Sequence, residues 1–186
     1  MRRKVAPWIP STREVIVEAL NIARVGQGDI FYDLGAGDGR VLVIASREYG
    51  AYSVGIEVDE RLCGIIEVTA KYYNVHDKVK VICEDFFAVN LSPATVVYMY
   101  LYRSINEEIA EKLEKELRVG TRIITIDFPI PGWIPIVVKR LIDRTGIIRT
   151  IYLYIKGASN PSDLNKRLRS LDNVYEVMRL RKVILR

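Results

Sequence analysis

Short apolar runs alternate with helical patterns along the chain, and this alternation limits the folds that the chain can adopt. The segment ERLCGIIEVTAKYY is typical of the helical patterns, because its apolar residues recur on one side. Near the carboxyl end, IVVKRLIDRTG and IIRTIYLYIKG are joined by a turn and predict an antiparallel hairpin. This order predicts a doubly wound α/β sheet that is mostly parallel and ends in that hairpin. The predicted parallel strands are DIFYDL, AYSVGIEVD, KVKVICED, ATVVYMYLY and TRIITIDF.

Serine marks the start of two predicted helices. Ser11 is followed three residues later by Glu14, and Ser104 is followed by Glu107 at the same spacing. In this capping-box pattern the serine hydroxyl and the glutamate carboxylate each accept a bond from a backbone N–H of the first turn. We therefore expect Ser11 and Ser104 to cap their helices.

Positive charge is concentrated at the carboxyl end of the chain. The 186 residues carry a net charge of +5, and residues 161–186 hold seven Lys or Arg against three Asp or Glu, a balance of +4. Such a stretch can meet nucleic acid or another acidic partner, and it can equally be a solvated helix face with an edge strand. We predict that residues 158–186 form a basic extension, a helix plus a strand, beyond a domain of residues 1–157.

The chain contains no run that approaches the roughly 18 apolar residues of a membrane helix. Its start, MRRKVAPWIP, is basic but is not followed by an apolar signal core. We expect a soluble, cytoplasmic protein with no membrane partner. A single glutamine and many isoleucine and valine residues weakly favour a thermophilic source.

Thiol and imidazole groups are scarce, and they comprise only Cys63, Cys83 and His76. They show neither zinc-ligand spacing nor a CxxC motif, so we predict no metal site and no Cys–His nucleophile. We interpret both cysteines as small buried apolar side chains. Any chemistry must then come from a cofactor, carboxylates, hydroxyls or the backbone.

The segment FYDLGAGDGR places a glycine-rich turn after the first strand, which is the expected ligand site of such a sheet. A nicotinamide-type turn reads G-x-G-x-x-G, but the third glycine position is Arg40 here, and the G-K-[ST] of a P-loop is absent. Asp33 ends the strand, and its carboxylate would repel a pyrophosphate but attract a positive amino group. Gly35 and Gly37 let a ligand approach the backbone closely.

Acidic residues also end the next two strands. Glu57 lies twenty residues after Gly37, where a carboxylate can accept bonds from two ribose hydroxyls. In CEDFF, Asp85 can accept a bond from an adenine amino group, and Phe86 can pack on the base. An amino group, a ribose and an adenine without phosphate are parts of S-adenosylmethionine, the cofactor that we predict. The alternative is that these acids only cap helices at the strand ends.

The motifs DLGAGDGR, GIEVD and EDFF resemble those of class I S-adenosylmethionine-dependent methyltransferases. PWIPSTREVI, ATVVYMYLY, KLEKELRVGTRI and IPGW are similar to segments of the small archaeal protein lysine methyltransferases of broad specificity. The resemblance implies a Rossmann-like seven-stranded sheet, a class I methyltransferase domain at residues 1–157, and methyl transfer to protein lysines. Carried over by position, the expected cofactor-binding residues are Ser11, Asp33, Gly35, Gly37, Glu57, Asp85 and Phe86.

Aromatic residues follow the fourth and fifth strands, beside the expected methyl group. A narrow aromatic channel disfavours a charged lysine by desolvation and can guide the entering cation over ring faces. Tyr98, Tyr100 and Tyr102 share one face if the strand period of two continues, so we expect at least one of them to belong to the core. The residues that we predict to act at the acceptor amine are Tyr98, Tyr100, Phe128 and Trp133.

Other functions stay open from the sequence. A nucleic-acid amino-methyltransferase is expected to carry [Asn/Asp/Ser]-Pro-Pro-aromatic after the fourth strand, where this chain has Tyr98-Met99-Tyr100-Leu101, but the basic stretch keeps nucleic acid as a candidate partner. A cofactor-binding protein without activity is a second alternative. A small-molecule methyltransferase is a third, although such enzymes often carry extra helices as a lid and this chain has no large insertion. We predict direct methyl transfer to lysine side chains, with basic, lysine-bearing proteins as substrates.

Overall fold

A seven-stranded sheet forms the centre of the protein in the computed structural model, which describes residues 10–162. The order of the strands across the sheet is β3-β2-β1-β4-β5-β7-β6. Strands β1 to β5 pair in parallel, whereas β7 is antiparallel to both β5 and β6. The predicted doubly wound, mostly parallel sheet with its antiparallel C-terminal hairpin is therefore confirmed. The strands are β1 (Ile30–Leu34), β2 (Tyr52–Glu57), β3 (Val79–Cys83), β4 (Val96–Met99), β5 (Arg122–Ile126), β6 (Val137–Ile142) and β7 (Ile148–Ile155).

Helices cover both faces of this sheet. Apolar residues of α1, α2 and α3 pack in one cluster, and those of α4 pack in another. Successive strand residues alternate between the two clusters, as Phe31 and Tyr32 do, because side chains along a strand point to opposite faces. Because β1 to β5 are parallel, their carboxyl ends meet at one edge of the sheet, called here the open edge. The helices are α1 (Arg13–Ile22), α2 (Arg40–Tyr49), α3 (Glu60–Tyr72) and α4 (Arg103–Glu116).

Neither predicted capping box is present. Helix α1 has Thr12 as its N-cap, and the hydroxyl of Ser11 instead shares a hydrogen bond of 2.8 Å with the hydroxyl of Tyr98. Helix α4 has Tyr102 as its N-cap, so that Ser104 lies inside the first turn. The local pattern was overridden in α1 because Ser11 contacts a buried phenol that is distant in the sequence.

The interpretation of Cys63 and Cys83 as merely small buried apolar side chains is wrong, because the structure joins them in a disulfide with a Cα–Cα distance of 5.9 Å. Cys63 lies in the first turn of α3, and Cys83 ends β3, where it is the register partner of Glu57. The parallel pairing of β2 with β3 brings the two cysteines together, and no local spacing pattern reports such a pairing. The bridge therefore ties α3 to the strand end beside Glu57.

The first residues of the predicted basic extension pack against the domain. Ser159 and Asn160 are buried, the Asn160 side chain accepts a bond from the Gly157 N–H, and it donates one to Glu114 of α4. The helix and strand predicted for residues 161–186 fall almost entirely on residues 163–186, which lie outside the described residues. Within residues 10–162, no helix is both long and apolar enough to cross a membrane.

We expect the disulfide to stabilise the fold. Replacing both cysteines by alanine should lower the free energy of unfolding by about 3 kcal/mol, because the 20-residue loop is no longer closed in the unfolded chain. Denaturant titration under oxidising conditions measures the difference. A reductant should lower the stability of the wild type and leave the double variant unchanged; equal stabilities of wild type and variant without reductant would contradict the disulfide.

Candidate active site

The glycine turn connects β1 to α2 in a conformation that requires glycine. Gly35, Gly37 and Gly39 have φ values of 84°, 58° and 79°, in the left-handed region that other residues rarely adopt. A Cβ atom on Gly39 would lie 2.9 Å from the side chain of Ile66, and one on Gly35 would lie 3.4 Å from Leu101. The turn is therefore packed closely between α3 and the segment that follows β4.

Glu57 at the end of β2 faces this turn. Its Oε2 accepts a bond of 2.9 Å from the Gly37 N–H, and its Oε1 accepts bonds from the N–H groups of Val58 and Asp59. The carboxylate is buried. Since a carboxylate oxygen can accept two bonds, Oε2 retains capacity for a ligand hydroxyl.

Asp33 is a buried carboxyl group with negative neighbours. The residue is 3% exposed, and burial, followed by the charges of Glu57 and Asp38, raises the pKa of its carboxyl group well above the usual range. No basic residue in the described part of the chain forms an ion pair with it. A buried acid in this position is stabilised in its charged form by a positive ligand group.

Asp85 and Phe86 follow β3 at the same edge of the sheet. One oxygen of Asp85 accepts a bond of 2.9 Å from the Phe87 N–H, so this acid caps a turn, as the alternative interpretation from the sequence allowed. Phe86 is buried, and its ring lies 4.8 Å from the ring of Phe87. Their contacts with adenine stay a prediction.

Ser11 and Tyr98 lie beside the glycine turn on the helix α1 side. Besides the bond between their hydroxyls, the Ser11 carbonyl accepts one of 3.2 Å from Arg40, the residue that opens α2. Tyr98 is 1% exposed, and burial raises the pKa of its phenol. The structure thus places Tyr98 in the core, where it supports the segment that precedes α1.

The other aromatic residues fall into two groups. Tyr100 and Phe128 are half-buried at the ends of β4 and β5, whereas Trp133 is buried edge-on against Tyr154, with ring centroids 6.2 Å apart.

The expectation that Tyr102 shares a face with Tyr98 and Tyr100 is wrong, because β4 ends at Met99 and Tyr102 packs in the cluster on the other face. Its ring lies 5.5 Å from that of Phe128. Tyr100, Tyr102 and Phe128 are thus half-buried aromatic residues that follow β4 and β5.

Two charged residues at this edge were given no role from the sequence. Asp127 follows β5 and accepts a bond of 2.7 Å from the Tyr100 hydroxyl. Arg149 at the start of β7 donates to both of them. An acid directly after a buried strand was the available signal for Asp127, whereas the position of Arg149 depends on the pairing of the hairpin with β5.

The sheet order, with its final antiparallel pair and a glycine turn after β1, defines a class I methyltransferase fold. Residues 33–137 match the family model described as the ANTKMT methyltransferase domain. A protein-lysine N-methyltransferase of Saccharolobus islandicus is 39% identical over 153 residues, which is 81% of this chain and 94% of that protein. The chain therefore belongs to the ANTKMT methyltransferase domain family, and the predicted class is confirmed.

More distant relatives agree with this membership. The adenine nucleotide translocase lysine N-methyltransferase of Mus musculus is 29% identical over 137 residues, or 73% of this chain, and the chain spans only 59% of its length. Among solved structures, an RNA methyltransferase from Salinibacter ruber in complex with S-adenosyl-L-homocysteine superposes with a TM-score of 0.74 and 35% identity, covering 79% of this chain and 93% of that one.

We expect Glu57→Ala to weaken binding of S-adenosylmethionine roughly tenfold or more, because a buried ribose would lose a charged acceptor. Isothermal titration calorimetry measures the affinity. Glu111→Ala, which removes an exposed acid from α4, should bind as the wild type does. Unchanged affinity in Glu57→Ala would remove Glu57 from the site.

Binding of S-adenosylmethionine should release protons through Asp33. Because the free protein has a raised Asp33 pKa, and a positive ligand group favours the ionised form, affinity should rise with pH until the pH exceeds that raised pKa. Calorimetry in buffers of different ionisation enthalpy measures the protons released. Asp33→Asn should abolish both effects; a wild type that releases no protons and binds equally at all pH values would show that Asp33 does not meet the cation.

Proposed function

We propose that the protein transfers methyl groups from S-adenosylmethionine to lysine side chains of other proteins. The observation that carries the proposal is the set of carboxylates at the consecutive ends of β1, β2 and β3, namely Asp33, Glu57 and Asp85. The lysine acceptor is supported by the protein-lysine N-methyltransferase of Saccharolobus islandicus, which this chain matches over nearly the whole length of that protein.

The residues present fit this cofactor. Asp33 would hold the positive amino group, and this assignment explains why a buried acid stands without a basic partner among the described residues. Glu57 would accept a bond from a ribose hydroxyl through Oε2, and Asp85 would accept one from the adenine amino group. Gly35 and Gly37 would let the methionine end approach the backbone of the turn closely. A pyrophosphate would instead oppose the ionisation of Asp33 and be repelled by the charges of Glu57 and Asp85.

The transfer is a direct displacement, for which the bound cofactor supplies a methyl group on a positively charged sulfur. The substrate nitrogen would form a bond to the methyl carbon while the carbon–sulfur bond breaks, and the electron pair of the broken bond would remain on sulfur. The methylated ammonium would then lose a proton to water. The protein must align these atoms and exclude water. A lysine amine has a free pKa of about 10.4 and must arrive neutral. The half-buried rings of Tyr100, Tyr102 and Phe128 favour that form by desolvation.

RNA methylation is a second candidate function, and one observation favours it. The solved relative from Salinibacter ruber is described as an RNA methyltransferase and is 35% identical to this chain. The net charge of residues 161–186 would suit a nucleic acid. Against this candidate, the segment after β4 has no [Asn/Asp/Ser]-Pro-Pro-aromatic motif, and the relatives from Saccharolobus islandicus and Mus musculus are lysine methyltransferases.

We infer that the enzyme works in the cytoplasm. A disulfide is unusual there, except in hyperthermophiles, where intracellular proteins are often disulfide-rich. The single glutamine and the abundance of isoleucine and valine agree with such a source.

A labelling assay separates the two substrate classes. The purified protein and radiolabelled S-adenosylmethionine are mixed with cell lysate, and the products are treated with protease or with nuclease. We expect label that protease removes and nuclease leaves, and mass spectrometry should then place the methyl group on lysine. The Glu57→Ala variant is the control for background labelling. Label that only nuclease removes would overturn the lysine assignment in favour of RNA.

A further inference from the structure

A cluster of three polar side chains lies at the ends of β4 and β5. Tyr100, Asp127 and Arg149, called here the Tyr100 cluster, are all half-buried. The Tyr100 hydroxyl lies 2.7 Å from Oδ2 of Asp127, and Nη1 of Arg149 lies 2.7 Å from that hydroxyl and 2.9 Å from the same Asp127 oxygen. The proposed methyl transfer uses the Tyr100 ring but assigns no role to the charged groups of Asp127 and Arg149.

The donors and acceptors in this cluster fix the direction of the Tyr100 hydroxyl. The Asp127 carboxylate can only accept, and the Arg149 guanidinium can only donate. Tyr100 must therefore donate its proton to Asp127 and accept a bond from Arg149. One lone pair on the phenol oxygen remains, so toward any further group Tyr100 is an acceptor. Burial and the bond to Asp127 raise the pKa of Tyr100, which keeps the phenol neutral.

The backbone at Asp127 is strained, and several bonds hold it in place. Asp127 has a φ of 61°, and the Phe128 N–H donates to the Ile126 carbonyl at 2.7 Å, which closes a three-residue turn of the rarer, strained hand. The Asp127 N–H donates to the Thr150 carbonyl, and the Thr150 N–H donates to Oδ1 of Asp127. Strain of this kind persists where the surroundings enforce it and is concentrated at functional sites.

Arg149 is fixed from a second direction. Its Nε donates a bond of 3.0 Å to the buried Asp143 carboxylate in the turn between β6 and β7. Its guanidinium carbon lies 5.9 Å from the centre of the Tyr100 ring. The hairpin therefore holds the arginine, which in turn holds both the oxygen and the ring of Tyr100.

The cluster adjoins the cofactor turn. Tyr100 precedes Leu101, whose side chain is the nearest neighbour of a Cβ atom built on Gly35. Phe128, which follows Asp127, packs against Tyr102. Tyr100 and Asp127 thus follow β4 and β5 at the same end of the sheet as the turn that would hold the cofactor.

We propose that Asp127 and Arg149 are positioning residues that aim the Tyr100 oxygen at the substrate amine as a hydrogen-bond acceptor. A neutral lysine amine has two N–H bonds and one lone pair. When an N–H is held by Tyr100, the lone pair is free to face the methyl group, which is the alignment that displacement requires. This inference rests on the proposed lysine methylation and assigns Tyr100 as the catalytic residue that contacts the acceptor.

Three variants of the full chain test the proposal. Their substrate is a lysine-containing peptide from the protein that becomes labelled in the lysate assay. Tyr100→Phe keeps the ring and removes the acceptor, so kcat should fall about tenfold or more. Asp127→Gly removes the carboxylate and tolerates the positive φ, and it should lower kcat to a similar extent. The double variant should be no slower than Tyr100→Phe, because Asp127 acts through Tyr100. The affinity for S-adenosylmethionine should stay within about twofold of the wild type in all three.

Asp127→Asn keeps the size of the side chain and also tolerates a positive φ. Its oxygen can still accept the bond from the Thr150 N–H, and its NH₂ group would then donate to the Tyr100 oxygen. The phenol proton would turn toward the substrate, so we expect kcat to fall in this variant although the fold is kept. Circular dichroism and thermal melting monitor the fold.

The chain offers a matched control in the ion pair between Asp29 and Arg122 at the opposite edge of the sheet. Asp29→Asn should lower thermal stability but leave kcat unchanged. The proposal is overturned if Asp127→Gly retains wild-type kcat, or if the loss in the double variant equals the product of the two single losses. A wild type that labels no protein would reject lysine methylation itself, and this proposal with it.

Discussion

The buried Asp33 carboxyl group is the constraint on which the rest of the site depends. It ends a central strand, and Glu57 and Asp38 oppose its ionisation, so its charged form is costly in the free protein. A positively charged ligand group offsets that cost. The adjacent turn has a backbone that only glycine adopts readily, and it places this acid at the carboxyl end of β1.

Parallel pairing explains why the remaining groups gather beside Asp33. Strands that run in the same direction end at the same edge, so Glu57 and Asp85 follow from the topology of β1, β2 and β3. The antiparallel return of β7 brings Arg149 to this edge from the other direction, next to Asp127. The disulfide between Cys63 and Cys83 holds the β3 side of the cleft, where the adenine would lie.

Local signals in the sequence were sufficient for the sheet and for the acids that end its strands. Glycine turns, apolar runs and helical periodicity are properties of neighbouring residues, and they were sufficient to locate the ends of β1, β2 and β3. The features that the sequence did not predict depend on contacts between distant residues. The Ser11 hydroxyl shares a hydrogen bond with the Tyr98 hydroxyl, and Arg149 donates a hydrogen bond to Asp127. Tyr102 was assigned to the wrong face because β4 ends three residues before it, and the period of two ends with the strand.

The most direct test of this account is a crystal structure of the protein with S-adenosyl-L-homocysteine, which keeps the amino group, the ribose and the adenine of the cofactor. We expect the Asp33 carboxylate to lie within hydrogen-bond distance of the ligand amino group, and Glu57 Oε2 to accept a bond from a ribose hydroxyl. A ligand bound away from the glycine turn, or an amino group held by a different residue, would contradict it.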